Sequence, residues 1–240
     1  MEANSFPGRT IRWLAPMADR IFLSFPDSFQ WFSSRLQHRC ILSGNPIRPS
    51  LLHNPPDPAE AKRRWGFDPA LPLVLVLGGS LGARSINEAI ASIVPQLVQH
   101  KIQVLWQTGK QTVEIPHPSP LIVPTDFIDD MQAAYQAADL VVSRAGASAV
   151  AEIAAFGKPA IFVPYPAAVH RHQHHNVAAL VRHQAALFLE DHQLKEQLLP
   201  LIRHVLRHAP LREQLAQNIR QFARPDAAEV IAKELEKFLP

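Results

Sequence analysis

From residue 73 onward, short β-branched runs alternate along the chain with longer segments of helical periodicity, and this alternation predicts a parallel sheet wrapped by helices. Strands are expected over residues 73–77, 102–106, 121–123, 140–143, 160–163 and 186–189, with helices over 83–99, 130–138, 148–156 and 173–183. Three further helical stretches, 193–207, 211–222 and 226–238, close the chain without another strand. The helix over 148–156 has a legible end: Gly157 can take a left-handed conformation, and Lys158-Pro159 prevents continuation. The expected fold class is therefore α/β, a Rossmann-like parallel sheet with helices on both faces.

The first fifty residues read differently. They offer one helical stretch at 10–19, one apolar strand at 20–25 and an aromatic-rich piece containing Phe29, Trp31 and Phe32. One helix and a strand or two cannot bury their own apolar faces, so Trp13, Phe22, Phe25, Phe29, Trp31 and Phe32 are expected to be partly exposed. Residues 1–47 are expected to be the remnant of an N-terminal domain, followed by a proline-stiffened linker over 48–58. The Rossmann-like α/β domain is then expected over 59–224, with a C-terminal helix over 225–240 packing back on the N-terminal part.

Length and composition narrow the function classes. At ~150 residues per domain, 240 residues make roughly one and a half domains. With 47% hydrophobic and 19% charged residues, the chain has the composition of an ordinary globular protein. Cys40 is the single cysteine, which excludes a disulfide framework and a cysteine-based zinc site. The apolar runs are too short or too interrupted to cross a bilayer. A net charge of +3, dispersed along the chain, argues against a nucleic-acid partner.

Two loops are candidates for chemistry. Gly78-Gly79-Ser80-Leu81-Gly82-Ala83 follows an apolar strand and opens a helix, where backbone N–H groups and the helix dipole can hold phosphate. A tight turn without ligand is the alternative, and the dinucleotide fingerprint fails because Ser80 or Leu81 stands where its second glycine must be. After the strand ending at Ser143, Arg144-Ala145-Gly146-Ala147-Ser148-Ala149-Val150-Ala151-Glu152 repeats the arrangement. Its small residues let a diphosphate approach a helix N-terminus, and Glu152, one turn in, suits the two hydroxyls of a ribose; a carboxylate complementing the helix dipole is equally compatible. Two such loops at the ends of neighbouring strands point to a nucleotide crevice. The His170 to His175 run reads as a polar loop entering a helix rather than a metal site, and Asp130 as a helix cap rather than a cation ligand, so neither metal nor cofactor is expected.

Taken together, Gly78-Gly79-Ser80-Leu81-Gly82-Ala83-Arg84, Phe127-Ile128-Asp129-Asp130-Met131, Ser143-Arg144-Ala145-Gly146, Glu152-Ile153 and the Gln173 to Asn176 stretch resemble the MurG family. That family comprises the undecaprenyl-diphospho-muramoylpentapeptide β-N-acetylglucosaminyltransferases of peptidoglycan synthesis, with a two-domain GT-B fold. Met1-Glu2-Ala3-Asn4 resembles its His-Glu-x-Asn, and Gly44-Asn45-Pro46-Ile47-Arg48 its linker motif. The likeness runs from Met1 to about Leu189.

The resemblance implies UDP-N-acetylglucosamine as donor, with Ser80 and Arg48 near the diphosphate and Ile128 at the uracil. It places Ala147, Ser148, Ala149, Val150, Ala151 and Glu152 around diphosphate and ribose, Gln173 near the sugar, and Asn4 reaching the donor from the other domain. It further implies lipid I, the undecaprenyl-linked muramoyl pentapeptide, as acceptor, attacked through its C4 hydroxyl with inversion. The implied location is peripheral, at the cytoplasmic face of the bacterial membrane, attached through the N-terminal domain. The family's usual candidate base lies in a glycine-rich loop upstream of anything matched here, and Met1 stands where the family has histidine. An internal or misassigned initiator, or a truncated product, is therefore expected, and the catalytic base is left unassigned. A non-catalytic UDP-sugar-binding module, completed by an N-terminal half from another chain, is the competing expectation; a UDP-sugar epimerase of related fold is a weaker one.

Overall fold

The computed structural model describes residues 1–79, 81–115, 118–168 and 171–238. Its first part contains α1 (Arg9–Leu14), β1 (Ile21–Leu23), α2 (Ser34–Gln37) and β2 (Cys40–Leu42), followed by α3 (Pro58–Arg64). Then come β3 (Leu73–Leu77), α4 (Arg84–Gln99), β4 (Gln103–Gln107), β5 (Ile122–Thr125), α5 (Met131–Ala137), β6 (Leu140–Ser143) and α6 (Ala147–Phe156). The chain continues with β7 (Ala160–Phe162), α7 (His172–Arg182), β8 (Leu187–Phe188), α8 (Leu194–Arg207), α9 (Ala209–Ile219) and α10 (Ala227–Glu236).

Six strands form one parallel sheet in the order β5-β4-β3-β6-β7-β8. Alternation along β3 divides the core between the two faces of this sheet. Leu73, Leu75 and Leu77 pack with residues of α5, α6 and α7, whereas Val74 and Val76 pack with Ile86, Ile90 and Leu97 of α4 and Leu198 and Ile202 of α8. Helices thus cover both faces, as the alternation of elements predicted. The elements from 73 onward agree with the expected ones to within a residue or two, apart from a tighter last turn at 220–222.

Proline and charge shape α3, which starts at the last residue of the expected linker. Asp57 accepts from the N–H groups of Ala59 and Glu60, and Pro58 occupies the first helical position, where no N–H is needed. Ala61 is fully buried, and the Lys62 ammonium, itself buried, donates to Asp139 Oδ2 at 2.8 Å and to the Leu71 carbonyl at 2.8 Å. A helix docked on the sheet domain therefore begins where the expected linker ends.

The N-terminal part corrects the expectation of exposed aromatics for three of the six residues, while Phe29, like the two tryptophans, is partly exposed. Phe22, Phe25 and Phe32 are buried, while Trp13 is 74% and Trp31 43% exposed. Two unforeseen contributions cover the buried ones. The parallel pairing of β1 with β2, joined by the Glu2–Leu23 bridge, gives Leu23 and Phe32 a small core of their own. Phe25 instead packs with the main core, with its ring 6.3 Å from that of Phe222. The Arg20 guanidinium meets Glu234 of α10 at 2.6 Å and lies over the Phe238 ring, so the last helix touches the N-terminal segment.

Candidate functional site: a crevice at the switch point of the sheet

The strand order reverses between β3 and β6, with β4 and β5 on one side and β7 and β8 on the other. Connections leaving the carboxyl ends of β3 and β6 therefore diverge to opposite faces and leave a crevice between them. The crevice holds two cavities. The smaller, about 320 Å³, is lined by Arg48, Ile128, Tyr135, Ala149, Glu152 and Gln173 among others. The larger, about 770 Å³, is lined by the glycine-rich loop, the start of α4, Tyr165 and Asp191. Gly79, Arg144 and Gln173 border both.

Helix α6 points its start at this crevice. Its N-cap is Gly146, which supplies no capping side chain, so the N–H groups of the first turn are left for another acceptor. Helical spacing then divides the stretch 147–152 between two sides. Ala149 and Glu152 border the smaller cavity, whereas Ala147, Val150 and Ala151 turn their side chains toward Ser24, Phe25 and Phe222. Ser148 is exposed and its hydroxyl lies 3.4 Å from the Asn45 amide, which donates to it.

Glu152 is held from below. The Tyr135 hydroxyl donates to its Oε2 at 3.0 Å. Burial and the adjacent Glu152 carboxylate push the phenol well above its ordinary value, with the Arg48 guanidinium opposing, so Tyr135 stays a donor. Gln173 is fixed as firmly: its Oε1 accepts from the N–H of Ala145 at 3.2 Å and of Tyr165 at 2.8 Å. Its NH₂ group makes no hydrogen bond among the described residues. Arg48 is exposed at the cavity rim, and Ile128 is buried behind the exposed Phe127.

Asn4 lies at the docking point of the N-terminal segment. Its Oδ1 accepts from Asn176 Nδ2 at 3.1 Å, and Asn176, fully buried, also donates to the Ala145 carbonyl and accepts from the Ser5 N–H. Asn4 is thus one residue away from the loop that opens α6 without bordering either cavity. Ser80 and His170 lie outside the described residues; the neighbours Gly79 and Leu81 border the larger cavity. Glu2 is buried, its carboxylate accepting from Asn4 and the Gly8 N–H, so it serves the local turn. His174 contacts Glu190 at 3.3 Å, and the His175 ring stacks on Phe6, where burial lowers its pKa. Asp130 caps α5 by accepting from the Ala133 N–H.

Sequence reasoning assigned no role to Tyr135, Arg144 or Asp191. Arg144 was marked only by its place in the small-residue loop directly after β6, and nothing in the sequence marks Tyr135 or Asp191 as neighbours of the site.

A sequence profile described as the glycosyltransferase family 28 C-terminal domain matches residues 73–231. The chain belongs to this glycosyltransferase family. The matched span is the six-stranded sheet domain with its helices, so the crevice lies within the family 28 domain. A relative from Bacteroides fragilis is 40% identical over 245 residues, covering 98% of this chain and 63% of that protein. One from Nitratidesulfovibrio vulgaris is 39% identical over 252 residues, covering 99% of this chain and 65% of that protein. Both are named UDP-N-acetylglucosamine--N-acetylmuramyl-(pentapeptide) pyrophosphoryl-undecaprenol N-acetylglucosamine transferase. The family 28 chain thus spans less than two thirds of the length of these curated relatives. Among solved structures, the crystal structure of Acinetobacter baumannii MurG matches with a TM-score of 0.76 at 28% identity, over 98% of this chain and 65% of that one. A putative UDP-N-acetylglucosamine 2-epimerase from Listeria monocytogenes shares the fold, with a TM-score of 0.67 at 16% identity over 97% of this chain and 63% of that one. The fold is that of the C-terminal half of a GT-B glycosyltransferase.

Proposed function

We propose that the crevice binds UDP-N-acetylglucosamine and that this chain forms the donor side of a transferase that glycosylates lipid I. One observation carries the reading: Arg48, Ile128, Glu152 and Gln173, from four separate segments, meet at one cavity beside the uncapped start of α6. The names of the curated relatives supply the same donor and an undecaprenol-linked acceptor.

In this reading the uracil lies against Ile128 and the ribose hydroxyls donate to Glu152, whose geometry Tyr135 fixes. The diphosphate sits at the first turn of α6, between the glycine-rich loop with Ser80 and the Arg48 guanidinium. The sugar reaches Gln173, with Asn4 approaching from the N-terminal segment. Helix N–H groups and an arginine stabilise the negative charge that builds on the departing UDP, which lowers the barrier to breaking its bond to the anomeric carbon. The C4 hydroxyl oxygen of the muramoyl sugar attacks that carbon from the opposite face as the bond to the β-phosphate oxygen breaks, giving inversion. Its proton passes to a base on the acceptor side. The product would be lipid II, a precursor for peptidoglycan and so for cell-wall growth and division.

The division into a donor domain over 59–224 and an acceptor-side segment over 1–47 belongs to the same proposal, as does peripheral attachment at the cytoplasmic face of the membrane. Among the described residues no helix is long and apolar enough to cross a membrane. Calorimetric titration of the chain with UDP, UDP-N-acetylglucosamine and GDP tests the reading. The two uridine ligands are expected to bind at one site, with GDP at least about tenfold weaker, a difference of about 1.4 kcal/mol. Equal binding of GDP, or no binding of any of them, would overturn it.

A further inference from the structure

Arg144 stands on the wall shared by the two cavities, where an arginine next to a diphosphate site would be taken for a phosphate ligand. Its contacts say otherwise. Nη1 meets Asp191 Oδ1 at 2.6 Å and the carbonyls of Val163 and Pro164 at 3.2 and 3.1 Å. Nη2 donates to Ser85 Oγ at 2.8 Å, and that hydroxyl donates in turn to Asp191 Oδ1 at 2.7 Å. The guanidinium also faces the Tyr165 ring at 5.6 Å. With side chains only 14% and 23% exposed, Arg144 and Asp191 form a largely buried, mutually neutralising pair. An anion would have to displace a carboxylate already in charge-assisted contact with the guanidinium.

These contacts join four segments at the carboxyl ends of the sheet: Ser85 after β3, Arg144 after β6, Val163 and Pro164 after β7, and Asp191 after β8. The consequence falls on Gln173. Its Oε1 is held by the N–H groups of Ala145 and Tyr165, the residues directly after Arg144 and after the Pro164 whose carbonyl Arg144 binds. The distance between those two N–H groups is therefore set by the Arg144 guanidinium together with the Val163 N–H bond to the Ser143 carbonyl at 2.9 Å. We propose that Arg144, clamped by Asp191 and Ser85, is a positioning residue that orients the Gln173 amide toward the sugar of the donor and takes no direct part in holding the diphosphate. The inference rests on the proposed donor site, and it locates sugar discrimination in a network that spans four loops.

The test compares affinities for UDP and for UDP-N-acetylglucosamine by calorimetry in the wild-type chain, in the charge-neutral double variant Arg144→Gln with Asp191→Asn, and in Ser85→Ala. A general structural role would lower both affinities together. The positioning role leaves UDP binding within about twofold of wild type in every variant. It lowers the ratio of sugar-nucleotide to UDP affinity, by about tenfold in the double variant and about threefold in Ser85→Ala. Retained UDP binding itself shows that a variant is folded; should the double variant not fold, Ser85→Ala alone decides. An unchanged ratio in Ser85→Ala, or a loss of UDP affinity of about tenfold or more in the folded double variant, would overturn the proposal. Failure of wild type to bind UDP would instead strike the donor-site reading on which it rests.

Discussion

At the residue scale, Glu152 carries the sharpest expectation. Replacing it with alanine removes the proposed acceptor for the ribose hydroxyls and leaves the buried Tyr135 hydroxyl without its partner. Loss of hydrogen bonds to a charged group costs about 1.5–3 kcal/mol, so Glu152→Ala is expected to weaken UDP binding about ten- to a hundredfold by calorimetry. Binding unchanged in the variant would remove Glu152 from the site. Lys158 makes a pH-dependent contribution. Its ammonium donates to the carbonyls of Gln136 and Ala138 at the end of α5, and burial lowers its pKa to about 8, against the partial opposing effect of Asp139. Between that value and the ordinary lysine value the unfolded chain holds more protons than the folded one, so stability from this group rises with pH over the window and is lowest below pH 8. Thermal melts of wild type and Lys158→Met should therefore diverge in favour of wild type from pH 8 to 10; a constant difference would contradict it. Glu152 was legible from one-turn spacing after small residues, whereas its hold by Tyr135 was not, because that contact depends on how α5 packs against α6.

At the element scale, the four central strands β4, β3, β6 and β7 were legible as buried runs bounded by turn residues, and the half-buried edge strands β5 and β8 as short apolar stretches between helical segments. The short elements β2 and α2 were not: Cys40–Leu42 has three half-buried residues and depends on pairing with β1. Helix α3 was hidden by the prolines around it, although Asp57 followed by Pro58 is a helix start in sequence. The glycine-rich loop shows why its residues are small. Gly82 has φ +78°, and a Cβ there would collide with the Thr108 carbonyl of the loop after β4. Gly82→Ala is therefore expected to lower stability by ~1 kcal/mol or more and to weaken UDP binding with it. A melt and an affinity both unchanged would show that the loop can move without consequence.

At the scale of the whole molecule, the N-terminal segment is tied to the sheet domain at a few polar points. Asn176 bridges Asn4, Ser5 and Ala145, and Asp27 meets Arg182 and His183 of the α7 end. Asn176→Ala leaves the Ser5 N–H and the Ala145 carbonyl buried without that partner, at about 1–3 kcal/mol. Limited trypsin digestion should then cut faster after Arg9, Arg12 and Arg20; cleavage at the wild-type rate would show that other contacts hold the segment. The aromatic content of this segment suggested exposure, and the outcome was mixed because the partner surfaces, Phe222 and β2, are distant in sequence or short.

The central claim is that a uridine diphosphate sugar lies in the crevice where the strand order reverses, and hydrogen–deuterium exchange with and without saturating UDP-N-acetylglucosamine tests it most directly. Slowed exchange is predicted in peptides covering 78–86, 126–135 and 144–153, the segments that frame the two cavities. Protection confined to other parts of the chain, or none at saturating ligand, would contradict the account.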